Sequence, residues 1–369
     1  RQSPHAAIAT GGPRMVIPPG HWHALLPRAP GAPPFLALLL ALSAHAAHDH
    51  PRSACYATMA ANEPYVRGVR VLHFSLRQTG SFQVGKGMRA PEFVVLDLGM
   101  RPESRRLLSE DGATVVEVGP SERVQPSPRR AERFSDRFAG QAAYMSFTKL
   151  VVFRLPFDRV VYLDADMIVL RSLRPLIEAP PLGRTVLAAP ERPDLRREFN
   201  AGLLALDPSA EVFRALVAHV DDEPYACGHR ASDQSFLCHF FATVAPGRLE
   251  VLPRSFNVLL KAASREADAG GAALRAAHVL HYNGRKPWKT PVRRKPVSRA
   301  AEAHARALWF AAERCLNTTG VPRPPRADQG VSSWGALGAS AGSPLWPDCP
   351  EARAIASNGT WWEHRRRHR

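Results

Sequence analysis

Lysine is scarce in this chain: only six of its 49 basic residues are Lys. No Cys-x-x-Cys pair occurs among Cys55, Cys227, Cys238, Cys315 and Cys349, which argues against a structural zinc. No apolar run reaches the roughly 20 residues of a comfortable membrane span. No helix-turn-helix, zinc-finger or aromatic RNA-binding signature accompanies the net charge of +16. That charge is uneven, since residues 284–369 hold 16 Lys/Arg against 6 Asp/Glu. The middle of the chain is only mildly basic, and no nucleic-acid partner is expected. No internal repeat is present, which excludes a solenoid or propeller. Where Lys persists in a chain that otherwise uses Arg, a compact ammonium is wanted for itself. Lys149 and Lys286 fall inside the blocks singled out below, whereas Lys86, Lys261, Lys289 and Lys295 do not.

What is present bounds the fold. With 45% hydrophobic residues in 369, the chain can bury a sizeable core. Residues 1–50 read as a leader whose segment 35–47 resembles a secretory signal with an Ala44-His45-Ala46 cleavage pattern. A type II anchor is the alternative. Sequons at Asn317 and Asn358 agree with a secretory (Golgi or ER lumen) or secreted destination. From Cys55 short apolar runs alternate with helical patterns, as in α/β layering. Strands are expected at Tyr56–Met59, Phe93–Leu96, Thr114–Val118, Thr185–Ala189, Gly202–Leu206 and His278–His281, and at the run ending in Asp164. Helices are expected from Asn62 to Gly80, Tyr144 to Phe153, Glu211 to Val220 and Asp233 to Phe241. Residues 51–290 form the expected catalytic domain, and 291–369 a basic, Pro/Arg-rich, partly disordered tail with an amphipathic stretch near Ala300–Cys315. Within that tail Cys315 and Cys349 could pair in an oxidising compartment, but sequence does not give the connectivity.

Asp164-Ala165-Asp166 closes the run Val160-Val161-Tyr162-Leu163. On an extended strand both carboxylates would share one face while Ala165 points back. Two acids at the carboxyl end of a parallel-sheet strand make half of a hard-metal site, and such an ion is suited to a diphosphate. A lone Asp-x-Asp is common on surface loops, so its company decides the matter.

That company is five blocks: Tyr56-Ala57-Thr58-Met59-Ala60-Ala61-Asn62-Glu63-Pro64-Tyr65; Phe147-Thr148-Lys149-Leu150; Arg159 through Asp166; Phe199-Asn200-Ala201-Gly202; and Asp233-Gln234 followed by His281-Tyr282-Asn283-Gly284-Arg285-Lys286-Pro287-Trp288. In order and spacing they resemble the glycogenin-like retaining glycosyltransferases of family 8, over about residues 55–290. The short His-Tyr-x-Gly-x-Lys-Pro-Trp form is closer to the plant xylan glucuronosyltransferases. The resemblance implies a GT-A-type α/β fold with a central, mostly parallel mixed sheet flanked by helices. It implies Mn²⁺ (or Mg²⁺) on Asp164, Asp166 and His281, a UDP-sugar donor, and a glycan or other hydroxyl acceptor. Met59, Ala60, Asn62 and Tyr65 would line the uracil–ribose pocket, with the Tyr65 ring stacked on the base. Ala165 and Ala201 would border the donor. Gly284 would let backbone approach the diphosphate and Lys286 would meet a phosphate. Asn200, Asp233 and Gln234 would hold the sugar, with Lys149 near its hydroxyls or the phosphates. Attack on the donor face that the phosphate leaves needs no dedicated base, and Asp233 is the candidate to stabilise charge at the anomeric carbon. Membrane association through the N-terminal segment and a homodimer stay open.

Each residue also has a plain structural role open to it. Asn62 or Asp233 could cap a helix, His281 could be a core histidine, and Tyr65 could be core. The chain departs from the family pattern at Arg230, Ala231-Ser232 and Ala201, which bear on sugar identity. No Tyr lies between Tyr225 and Tyr282, which argues against priming of glycogen on its own tyrosine. A weakly active UDP-sugar binder and a basic polyanion-binding protein are the alternative readings.

Overall fold

The structure is a computed structural model that describes residues 51–127, 146–191, 198–222, 232–263, 273–284, 286–289, 300–321, 346–347 and 349–357. The strands are β1 (Ala54–Ala60), β2 (Glu92–Asp97), β3 (Thr114–Glu117), β4 (Arg159–Leu163), β5 (Met167–Val169), β6 (Val186–Pro190), β7 (Phe199–Leu206), β8 (Leu249–Val251), β9 (Val258–Leu259) and β10 (Val279–His281). The helices are α1 (Glu63–Gln78), α2 (Pro102–Glu110), α3 (Arg174–Glu178), α4 (Ala210–His219), α5 (Asp233–His239), α6 (Leu260–Ala263), α7 (Ala300–Thr319) and α8 (Pro350–Ser357). The leader, its segment 35–47, the sequon at Asn358, Arg230 and Ala231 lie outside the described residues. No helix among the described residues is long and apolar enough to cross a membrane.

Seven strands form the main sheet in the order β3-β2-β1-β4-β7-β6-β8. β1 pairs in parallel with β2 and β4, β2 with β3, and β6 with β8, while β7 runs antiparallel to β4 and β6. This is the mixed, mostly parallel α/β sheet expected. Alternation along β1 sends Cys55 and Ala57 into one apolar cluster and Ala54, Tyr56 and Ala60 into the other. Both faces are therefore covered, as a sheet with parallel crossovers requires. The strand order reverses between β1 and β4, and ligands of open α/β sheets bind beyond the carboxyl ends of strands at such a reversal. Met59, Ala60 and Asn62 thus lie at the same end of the sheet as Asp164.

α1 starts where Pro64 fits the first turn and stops before Gly80, whose φ of 65° suits a residue without a side chain. Asn62 stands at the N-cap position, but its side chain makes no capping bond and is exposed. Capping therefore does not account for it. At the head of β4, Arg159 is fully buried and satisfied by Asp207 (2.6 Å) and the carbonyls of Leu176 and Pro180. This cation is a structural anchor.

A second sheet, β5-β10-β9, was not expected from sequence. β5 leaves the Asp164–Asp166 turn and pairs antiparallel with β10, Met167 opposite His281. The expected tail also contributes packed structure. α7 lays Ala305, Leu308, Trp309, Ala312 and Leu316 against Val71 and Phe74 of α1, Trp288 and the second sheet, with Trp346 and Cys349 in the same cluster. Burying a Trp-sized surface of ~200 Å² contributes up to about 5 kcal/mol, enough to hold a helix flanked by polar sequence. Tyr282 donates to the Ala305 carbonyl at 2.5 Å, and Cys315 is disulfide-bonded to Cys349. The helix following His281 in the chain therefore braces the strand that carries it.

Candidate active site

Chain reversals bring the acids and the imidazole together. β4 ends at Leu163, and Asp164, Ala165 and Asp166 form the turn into β5. The carboxylates therefore do not converge as i and i+2 of one extended strand, as expected from sequence. The turn instead points them both at His281, which β10 delivers through its pairing with β5 and the Tyr282 N–H bond to the Asp166 carbonyl (2.9 Å). His281 Nε2 lies 3.5 Å from Asp166 Oδ1 and 3.9 Å from Asp164 Oδ2. One ligand atom from each of the three lies within 4.8 Å of the others. His281 and Asp166 are buried, so a cation between them would be shielded from water on most sides. Two hard oxygens and one imidazole suit Mn²⁺ or Mg²⁺ and would bind a thiol-seeking metal poorly. The residues fit the ion that the motif implies.

The neighbouring cations neutralise this acidity. Lys286 Nζ pairs with Asp166 Oδ2. Burial pushes the Asp166 carboxyl pKa up, but His281 and Lys286 outweigh burial and hold it well below the usual carboxylate range. Lys149 is buried, with its ammonium 2.7 Å from Asp233 Oδ2, 3.3 Å from Asp164 Oδ1 and 3.3 Å from the Ala201 carbonyl. Burial alone would lower its pKa, and Asp164 and Asp233 raise it above the ordinary lysine value instead. Three acceptors around one ammonium match its three N–H donors. Among the described lysines Lys86, Lys261 and Lys289 are exposed, whereas Lys149 and Lys286 sit against site carboxylates.

β7 runs beside β4, so Asn200, Ala201 and Gly202 lie next to Asp164, whose N–H donates to the Gly202 carbonyl (2.8 Å). Asn200 Nδ2 donates to Gln234 Oε1 and Glu191 Oε2, each at 2.9 Å. Asp233 opens α5, but the cap is Ser232, whose hydroxyl accepts the Ser235 N–H. The Asp233 side chain is thereby left for Lys149. Lys149, Asp164, Asp166, Asn200, Ala201, Asp233, Gln234, His281 and Lys286 thus form one connected cluster. Ala165 and Ala201 are buried, and the Ala201 carbonyl and N–H bond to Lys149 and Gln234. Tyr65 is half-buried and packs edge-on against Trp288, centroids 5.4 Å apart. Burial raises its pKa. Gly284 is exposed with φ 104°, a backbone state that side chains disfavour.

Asn257, Glu191 and Gly68 were not singled out by sequence, and Tyr162 and Gly202 were read only as members of their blocks. Asn257, fully buried ahead of β9, places Oδ1 3.2 Å from His281 Nδ1. Its signal was a polar residue inside the apolar run Phe256–Leu260. Glu191 follows β6 and accepts from Asn200 and Gln234. Tyr162 donates to Asp164 Oδ1 at 2.8 Å. Gly68 packs against the Asp164–Asp166 turn, since a Cβ there would lie 2.4 Å from the Ala165 carbonyl and 2.8 Å from Trp288. Gly202 is equally confined: a Cβ would meet His281 Cε1 at 2.7 Å and Asn200 Oδ1 and Met167 Cε at 2.8 Å. Gly202→Ala should therefore push the imidazole off the acids. The expected outcome is about 1–3 kcal/mol of lost stability by urea unfolding and weakened Mn²⁺ binding by calorimetry. Unchanged values for both would show that the ring is not held by this contact.

The chain is 29% identical to inositol phosphorylceramide glucuronosyltransferase 1 of Arabidopsis thaliana over 253 residues, which is 63% of this chain and 42% of that protein. It is 26% identical to human glycogenin-1 over 258 residues, 68% of this chain and 66% of that one. A galactosyltransferase crystallised with donor and acceptor sugar analogues overlaps with a TM-score of 0.48 at 19% identity, covering 73% of this chain and 98% of the other. The sequence model of glycosyl transferase family 8 matches residues 57–291, a span that holds every residue of the acid–imidazole–lysine cluster, and the chain belongs to that family.

Proposed function

We propose that this protein is a retaining, metal-dependent glycosyltransferase that moves a hexose or hexuronate from a UDP-sugar to a hydroxyl of a glycan or other acceptor. The observation that carries the reading is the convergence of Asp164, Asp166 and His281 at the sheet's reversal point, within a family 8 chain. A divalent ion held there supplies positive charge to the diphosphate as the glycosidic bond breaks. Lys286 adds a point charge for a phosphate oxygen, and the exposed Gly284 backbone allows close approach. Tyr65 and Asn62 offer an aromatic face and a free amide to the nucleoside. Gln234 meets a sugar hydroxyl, with Asn200 bonded behind it. Asp233, ion-paired to Lys149, stabilises positive charge at the anomeric carbon. A departing phosphate that takes up the acceptor's proton leaves no need for a separate base. A lumenal site of action is supported by the Cys315–Cys349 bridge, a bond that oxidising compartments sustain.

UDP release from a panel of UDP-sugars tests this reading. UDP-glucuronate comes first, because glucuronate transfer is named in the Arabidopsis relative. Release from at least one donor in Mn²⁺, abolished by EDTA, is expected. Absence of release from all of them, or release indifferent to the chelator, would contradict the proposal.

A further inference from the structure

The hydrogen-bond polarity around His281 is determined from both ends. The Gly202 N–H can only donate, and it lies 3.0 Å from one side-chain atom of Asn200, which must be the oxygen. The Asn200 nitrogen then faces the Glu191 carboxylate, which accepts, and Gln234 Oε1. With its oxygen so placed, Asn200 receives the Asn257 amide nitrogen at 2.9 Å. Asn257 must therefore turn its oxygen to His281 Nδ1, 3.2 Å away. An amide oxygen only accepts, so Nδ1 carries the proton. In the neutral imidazole, the form that binds a cation, that single N–H leaves Nε2 as a bare lone pair facing Asp164 and Asp166. Lone pairs of three ligands facing one another call for a shared cation. The ring cannot swing aside, because its Cε1 packs on the Cα face of Gly202.

From this geometry we infer that Asn257, backed by Asn200 and Glu191, is a positioning residue that holds His281 as the Nδ1–H tautomer and aims Nε2 at the divalent ion. The inference rests on the metal reading of the site and extends it to residues that touch neither ion nor donor. Both N–H groups and both lone pairs of the Asn200 side chain are taken up in this network, so it backs Asn257 without reaching the donor. Outer partners of this kind typically change metal affinity about 10–100-fold when removed.

Two measurements test it. The first is metal-free: ¹⁵N chemical shifts of labelled histidine at pH ~8, above the ordinary histidine pKa, with His281→Gln to assign the signal. A protonated Nδ1 and bare Nε2 in the wild type are expected, and a bare Nδ1 overturns the inference. The second is Mn²⁺ titration by electron paramagnetic resonance of wild type, Asn257→Leu and Asn257→Asp. The Leu variant removes the acceptor and should bind Mn²⁺ about 10–100-fold more weakly. The Asp variant keeps an acceptor for Nδ1–H and should regain most of that affinity. A stability loss alone would be the mark of a packing role, so unchanged Mn²⁺ affinity in Asn257→Leu overturns the relay while sparing the metal reading. A wild-type chain that takes up no Mn²⁺ overturns both.

Discussion

Asp166→Asn is expected to cut Mn²⁺-dependent UDP release by on the order of 10²–10³-fold, the scale on which directed electrostatic stabilisation of a leaving group acts. The size follows from position. Asp166 is buried, its Oδ1 faces His281 Nε2, and its Oδ2 pairs with Lys286. Asparagine keeps the shape but loses the charge that would hold the ion and orient the ammonium beside it. The deficit should narrow as Mn²⁺ is raised, because weaker ion binding is part of it. Far-UV circular dichroism should match the wild type. Wild-type turnover in Asp166→Asn at limiting Mn²⁺ would contradict the proposed role.

Lys149→Met should be nearly as damaging, for a different reason. It removes one donor from three acceptors, leaving Asp164, Asp233 and the Ala201 carbonyl facing each other with no cation between them. Stranding buried charges in this way costs about 3–5 kcal/mol, and the partial exposure of Asp164 should keep the loss near the lower end. Activity should fall by at least about a hundredfold, since Asp233 loses its anchor. Lys149→Arg should not rescue it. A planar guanidinium cannot direct three donors to three acceptors grouped around one point, which explains why Lys was kept in a chain that almost always uses Arg. Urea unfolding and UDP release of both variants check this, and near-wild-type activity in Lys149→Arg would refute the argument.

Much of this architecture was legible in sequence because the signals are local. Tyr56–Met59 is a short run bounded by turn residues and the helix to Gly80 has a clear helical pattern with a glycine stop, and both appear within two residues of expectation. Asp164, Asp166 and His281 were legible as residue types, and the fold does bring them together. The means of convergence was not legible. β5 is three residues long and follows β4 after a three-residue turn, so the apolar pattern hardly breaks between sheets. Asn257 and Gly202 matter through neighbours more than 20 residues away, which no local pattern reports. The packing of the amphipathic stretch near Ala300–Cys315 was hidden for a related reason. α7 is buried by Trp288, Trp346 and the Cys315–Cys349 bridge, and those partners are separated from it by Pro/Arg-rich sequence. Deleting residues 291–369 would uncover Trp288 and unbrace Tyr282.

Calorimetric titration of UDP, with and without Mn²⁺, into the wild type and an Asp164→Asn/Asp166→Asn double variant bears most directly on the central claim. The account predicts UDP binding that requires Mn²⁺ in the wild type and disappears in the variant. Equal UDP affinity in all four conditions would contradict it.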